Sequence, residues 1–298
     1  MSREITQTSK DIYSKNLIRL NDGEPIKNYN FLKKVDDIMA KIDHLKPNSK
    51  RTYLISIVST LKSKPELNKI YKIYYEKMMK MNKELKENNS KSETQKENWI
   101  SQDDVQKIYN EYEEKYLPLL KLKKVNEKQW NDILDFVVLS LYVLQQPRRN
   151  KDYQLMKVLK SNKDLEENYK EYNYYLPTEK KFCFFNYKTG HTYHLQEIDV
   201  CDKLQDILLL YLKLHPNKKT KNYFLLVDYD GQPLEQVNDI TRILNHIFKR
   251  KIGVSMLRNI SLSSKFGDTL KKLEESAKEM GTSSNVIMNQ YVKLDDKK

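Results

Sequence analysis

Three cations stand at the ends of segments that read as buried. Arg149 follows the apolar run over 130–144 and the break Gln146-Pro147. Lys188 opens the polar quartet Lys188-Thr189-Gly190-His191 between two strand-like runs, 182–187 and 192–198. Arg258 closes Ser255-Met256-Leu257-Arg258, where Met256 and Leu257 point toward a core. A charge beside an apolar wall is costly unless an anion partners it, and the planar fork of arginine fits a phosphate with two parallel hydrogen bonds. Each cation alone also suits a structural ion pair. No HExxH, CxxC, GxSxG or Walker pattern is present. His191 and His194 lie three apart in a run read as a strand, which turns them to opposite faces and makes them a poor metal pair. No metal and no cofactor is expected.

The elements that must carry these residues can be read from hydrophobic periodicity. Residues 1–25 show little of it and read as an arm. Over 26–85, Phe31, Val35, Ile38, Met39 and Ile42 keep helical spacing; Pro47-Asn48-Ser49 breaks that helix and caps a second one bearing Leu54, Ile57, Val58 and Leu61; Pro65 opens a third. A small helical bundle is expected there. Residues 86–98 hold no apolar side chain and read as a linker, long enough when extended to span about 40 Å at roughly 3.3 Å per residue. The second part, 99–298, starts with Ser101 as N-cap and Asp103 and Asp104 in the first turn, where the helix dipole favours acids. The run 130–144 is apolar nearly all round and is expected as a buried central helix. A β-hairpin with Gly190 in its turn, an amphipathic helix over 204–214, a short buried strand over 223–227 and helices over 235–249, 254–265, 268–279 and 283–292 complete the expectation. The fold class is mainly α with a small antiparallel sheet (α+β).

Composition narrows the function classes. The net charge is +13 and the chain holds six glycines, so a polyanion partner is favoured and glycine-built phosphate loops or Rossmann fingerprints are not. Two cysteines, Cys183 and Cys201, cannot make a disulfide scaffold. No apolar run reaches the roughly 20 residues that span a bilayer, and the start of the chain does not read as a signal peptide. An intracellular protein without membrane contact is expected. Lys50, Arg51 and Tyr53 at the start of the second bundle helix suit phosphate contacts, as do Lys249, Arg250 and Lys251 ahead of the Ser255 helix; both sets equally suit solvated faces.

The order Arg149 with Asp152 three on, a hairpin Lys188, Ser255-x-x-Arg258, Met280-Gly281-Thr282 and Tyr291 resembles the tyrosine recombinase (phage integrase) family. The intervals from Arg258 to Thr282 and on to Tyr291 are close to that family's. The run Gln146-Pro147-Arg148-Arg149-Asn150-Lys151-Asp152-Tyr153 and a tyrosine followed by Val292-Lys293 look like the integrases of virophages and large DNA viruses. The resemblance covers roughly residues 28–293. It implies a helical core-binding domain and a catalytic domain that close as a C-shaped clamp on double-stranded DNA, with Tyr291 as nucleophile. It further implies Arg149 and Arg258 on the scissile phosphate, Lys188 as general acid to the leaving oxygen and Asp152 orienting Arg149, with Arg148 as the alternative arginine. Metal- and ATP-independent strand transfer follows, by a homo-tetramer on paired sites and a monomer off DNA, in the host nucleus or a cytoplasmic viral factory if the element is viral.

Two positions depart from the family pattern. Ser255 stands where histidine is usual, and Thr282 where histidine or tryptophan is usual. Both hydroxyls can donate to phosphate oxygen, but neither is a base at neutral pH as imidazole is. The stretch from Arg149 to Lys188 is also longer than usual, and the excess, residues 166–175, reads as an exposed Tyr-rich loop. A type IB DNA topoisomerase and a catalytically degenerate DNA-binding relative are the alternatives.

Overall fold

The computed structural model describes residues 5–87, 91–160 and 167–293. Residues 1–4 of the expected arm, 88–90 of the linker, 166 of the Tyr-rich stretch and the tail 294–298 lie outside them. The chain divides into two compact units, Met1–Lys91 and Ser92–Lys298, with the division inside the expected linker.

The first unit is helical. Helices α1 (Gln7–Leu20), α2 (Val35–Asp43), α3 (Pro47–Leu61) and α4 (Asn68–Glu87) surround a core that includes Leu17, Leu20, Leu32, Ile38, Ile42, Leu54, Ile57, Leu61 and Tyr74. The arm reading of 1–25 is corrected for residues 7–20. Thr6 caps α1 by accepting from the Ser9 N–H, and Asn16, Leu17 and Leu20 are buried. The Asn16 amide donates to the Ser56 hydroxyl on α3 at 3.0 Å. With so few buried positions α1 carries little periodicity of its own, and packing on α3 supplies what the local pattern lacks.

The second unit is mainly helical with a small mixed sheet. It opens with α5 (Glu93–Asn98) and α6 (Gln102–Tyr116), followed by α7 (Glu127–Val143); each has a reciprocal capping box, at Ser92/Gln95, Ser101/Asp104 and Asn126/Gln129. Residues 93–98, read as linker, are therefore helical, because the Ser92/Gln95 box satisfies the first turn of a segment with no apolar face. Helix α7 is the expected central helix, with Trp130, Ile133, Leu134 and everything from Phe136 to Tyr142 buried. After it come α8 (Asn150–Gln154), β1 (Lys157–Val158), β2 (Asn173–Leu176), β3 (Lys181–Phe184), α9 (Gly190–Tyr193), β4 (Gln196–Asp199), α10 (Asp202–Leu214), β5 (Tyr223–Phe224), α11 (Asp239–Phe248), α12 (Val254–Glu279) and α13 (Ser284–Val286).

The sheet order is β4-β3-β2-β1-β5. Strands β1 and β2 are parallel and the other pairs antiparallel, so the expectation of a purely antiparallel sheet is corrected. The last three residues of the stretch read as an exposed loop, 173–175, belong to the central strand β2. All four of its residues are buried, so the alternation that marks a half-exposed strand is absent. The hairpin also differs: β3 and β4 pair as expected, but 185–195 forms a folded connection containing the helical turn α9, with His191 inside it. The helices expected over 254–265 and 268–279 are one, since α12 runs 26 residues through Gly267. Among the described residues no helix is long and apolar enough to cross a membrane.

Candidate active site

The C-terminal end of α7 delivers two adjacent arginines to different places. Arg148 and Asp152 are four apart across the start of α8, a spacing at which side chains meet on one helix face. The Arg148 Nε donates to Asp152 Oδ2 at 2.8 Å, and its Nη1 donates to Gln196 Oε1 at 3.1 Å. The guanidinium lies 3.7 Å from the Phe184 ring centroid. With side chains 16% and 2% exposed, the pair is an internal strut between α8, β3 and β4. Burial pushes the Asp152 carboxyl above the usual carboxylate range, and Arg148 offsets only part of that. The expectation that Asp152 orients Arg149 is corrected: its carboxylate is bonded to Arg148. Arg149 holds the extended N-cap position of α8 and its half-buried side chain lines an open cleft of about 1110 Å³.

Three other expected residues line the same cleft: Lys188, Ser255 and Arg258. Lys188 is exposed and enters from the β3–β4 connection. That connection is internally braced, with Tyr187 donating its hydroxyl to the His194 carbonyl at 2.8 Å and the Gly190 N–H donating to the Tyr187 carbonyl at 3.0 Å. A Cβ at Gly190 would sit 3.1 Å from the Phe185 carbonyl oxygen, so a side chain there needs the neighbouring backbone to give by a few tenths of an ångström. Ser255 and Arg258 occupy the start of α12, where Val254, Met256, Leu257 and Ile260 are buried. That burial turns Ser255 and Arg258 to the cleft. The N-cap of α12 is Gly253, which offers no side-chain cap. A helix start without a side-chain cap presents N–H groups and a partial positive charge, both suited to an anion. Lys251 also lines the cleft, and its backbone N–H donates to Asn98 Oδ1 at 3.0 Å. An anion entering here meets guanidinium, ammonium, hydroxyl and helix N–H groups together.

Thr282 and Tyr291 are not among the residues that line the cleft. Because α12 is unbroken, its far end lies about 30 Å from Arg258 at roughly 1.5 Å per residue. Gly281, at φ +63°, turns the chain there, and the Thr282 N–H donates back to the Ala277 carbonyl at 2.9 Å. Ser283 then caps α13, and a wide turn over Ile287–Tyr291 leaves Tyr291 57% exposed. The helix expected over 283–292 is found as eight consecutive helical residues, 284–291, the last five wound more widely than an α-helix. The structure therefore brings together Arg149, Lys188, Ser255 and Arg258, and leaves Thr282 and Tyr291 elsewhere in the same unit.

The expected DNA-binding cations fare unevenly. Lys50 is paired with Asp43 at 2.7 Å, the Arg51 Nε donates to Asn82 Oδ1 on α4, and Tyr53 packs against the first unit's core. Lys249, with φ 52°, ends α11, and it, Arg250 and Lys251 are exposed.

The sequence reading missed the polar side chains that hold the cleft walls. The Asn150 amide donates to the Thr241 hydroxyl at 3.0 Å, and Gln154 donates to the Gln236 carbonyl at 2.6 Å, tying α8 to α11 and the segment before it. Asn173 binds backbone groups of two other segments. A lone buried polar residue inside a Tyr-rich run carries no local signal of its partners. The chain matches no protein-family model, no curated protein and no solved structure.

Proposed function

We propose that the protein is a site-specific DNA recombinase, or integrase, of a viral or mobile element. The observation that carries this reading is the convergence of Arg149, Lys188, Ser255 and Arg258, from three separate segments, on one cleft at the start of α12. Arg149 and Arg258 grip the non-bridging oxygens of a scissile phosphodiester and hold the charge that grows on them in the transition state. Ser255 donates a further hydrogen bond. The Tyr291 oxygen passes its proton to solvent and attacks phosphorus, the bond from phosphorus to the 5′-oxygen breaks, and Lys188 gives a proton to that leaving oxygen. The products are a 3′-phosphotyrosine and a free 5′-hydroxyl, so the reverse step rejoins DNA without ATP or metal. The substrate is double-stranded DNA, and paired sites are held by a homo-tetramer.

The position of Tyr291 sets a condition on this chemistry. Either a second protomer supplies the tyrosine, or α12 breaks so that its own tail folds back. Gly267 is the natural break point, since glycine in a helix interior costs roughly 1 kcal/mol relative to alanine. A second reading, a DNA-binding relative without catalysis, is favoured by the same exposed Tyr291 and by Ser255 and Thr282 in place of imidazole donors. Cleavage of a suicide duplex separates the two. The recombinase reading expects a covalent adduct from wild type, none from Tyr291→Phe alone and one formed about 10²–10³-fold more slowly by Arg258→Ala alone. Recovery of adduct on mixing those two variants marks delivery between protomers. Salt-sensitive binding with no adduct from wild type leaves the second reading standing.

A further inference from the structure

Arg149 and Lys188 reach the cleft from α8 and from the β3–β4 connection, and one side chain is bonded to both segments. Asn173, the first residue of β2, donates from Nδ2 to the Asp152 carbonyl at 3.0 Å and to the Asn186 carbonyl at 2.9 Å. Its Oδ1 accepts from the Asn186 N–H at 2.8 Å. Asp152 lies three residues after Arg149, and Asn186 lies two before Lys188. Asn173 is only 3% exposed, so water is a poor substitute for these bonds. Asn186 extends the chain of contacts by donating its own amide to the Glu171 carbonyl at 2.7 Å.

The chemistry of the position is specific. A carboxamide offers two donors on one atom and an acceptor on the other, and Asn173 uses both ends. Turning the amide over would set its NH₂ against the Asn186 N–H, so the bonding fixes the orientation. A carboxylate would keep the acceptor but set oxygen against two carbonyls. An aliphatic side chain would keep the volume and lose every bond.

We infer that Asn173 is a positioning residue for the general acid: it sets the reach of Lys188 relative to the phosphate held by Arg149. This inference rests on the recombinase reading. A displacement of about 1 Å at a reacting group can cost on the order of 10²-fold in rate, and releasing the Asn186 end of the tether frees the segment that carries Lys188. Asn173 itself touches neither phosphate nor nucleophile.

The test uses single-turnover cleavage of two suicide duplexes by the full chain, one with an ordinary 5′-bridging oxygen and one with sulfur in its place. A thiolate leaves without a proton, so the sulfur duplex does not need a placed general acid. Asn173→Ala is expected to cleave the oxygen duplex on the order of 10²-fold more slowly than wild type and the sulfur duplex within a few-fold of it. Lys188→Ala should show the same pattern, and Arg258→Ala should be slow on both. Asn173→Asp has the native size and the same expected pattern, and it serves if the alanine variant does not fold. Equal slowing on both duplexes, or no slowing on oxygen, overturns the positioning role while wild-type cleavage still supports the recombinase reading. If wild type cleaves neither duplex, the recombinase reading falls and this inference falls with it.

Discussion

Arg148→Met separates the two adjacent arginines by their physical roles. The substitution leaves the Asp152 carboxylate, 2% exposed, without its cation, and removes the guanidinium from the Phe184 ring. Breaking a buried pair by removing one partner typically costs about 3–5 kcal/mol, and the lost cation–π contact adds about 0.5–2 kcal/mol. Residual exposure of Arg148 argues for the lower end, about 3 kcal/mol. In a unit of this size that lowers Tm by roughly 6–12 °C. Arg149→Met at the cleft wall should change stability by less than about 1 kcal/mol. The double variant Arg148→Met/Asp152→Leu should recover most of the loss, because neither charge is left buried alone. The pH dependence has a definite sign. The folded-state pKa of Asp152 lies above its unfolded value, and removing Arg148 raises it further. The folded variant then binds the proton more tightly, so its deficit narrows as pH falls through that pKa and is widest above it. Urea unfolding of the three variants between pH 4 and 8 reads all of this. Equal destabilisation by Arg149→Met and Arg148→Met, or a cost under about 1 kcal/mol for Arg148→Met, would refute the assignment of strut and site.

Other measurements bear on different parts of the molecule. Burial lowers the His215 pKa to about 4, so the folded state binds fewer protons than the unfolded state. Stability should fall by about 3 kcal/mol as pH drops from about 6.5 to about 4, and His215→Phe should lose that acid dependence in calorimetry. If Lys251 contacts a phosphate, Lys251→Ala should reduce the slope of log affinity against log salt by about 1, as read by fluorescence anisotropy with a duplex. Arg258→Ala should slow adduct formation by about 10²–10³-fold while leaving the Tm within about 3 °C of wild type.

The legible parts of the fold were those with strong local chemistry. Helix α7 was plain from a run that is apolar nearly all round, and Ser101 marked the start of α6 as an N-cap followed by acids in the first turn. The core of the first unit followed from the spacing of Leu54, Ile57, Val58 and Leu61. Helix α1 was not legible because its buried side chains are few and its stability comes from α3. Strand β2 was hidden because four consecutive buried residues give no alternation. The break expected between 265 and 268 is not made, because the penalty of roughly 1 kcal/mol at Gly267 does not stop a helix that continues on either side. At the site, residue type and order led to Arg149, Lys188, Ser255 and Arg258. They did not show that Arg148 takes Asp152, nor that Asn173 is bonded beside both segments. Those are tertiary pairings, set by which elements pack together.

The central claim is that Tyr291 becomes covalently joined to DNA. A suicide duplex bearing the element's own terminal sequence, incubated with the full chain, digested and analysed by mass spectrometry, tests it most directly. One nucleotide-linked peptide is expected, with the phosphodiester on Tyr291 and the 3′ end of the cleaved strand attached. An adduct on any other residue, or an intact duplex after prolonged incubation with protein that binds it, would contradict the account.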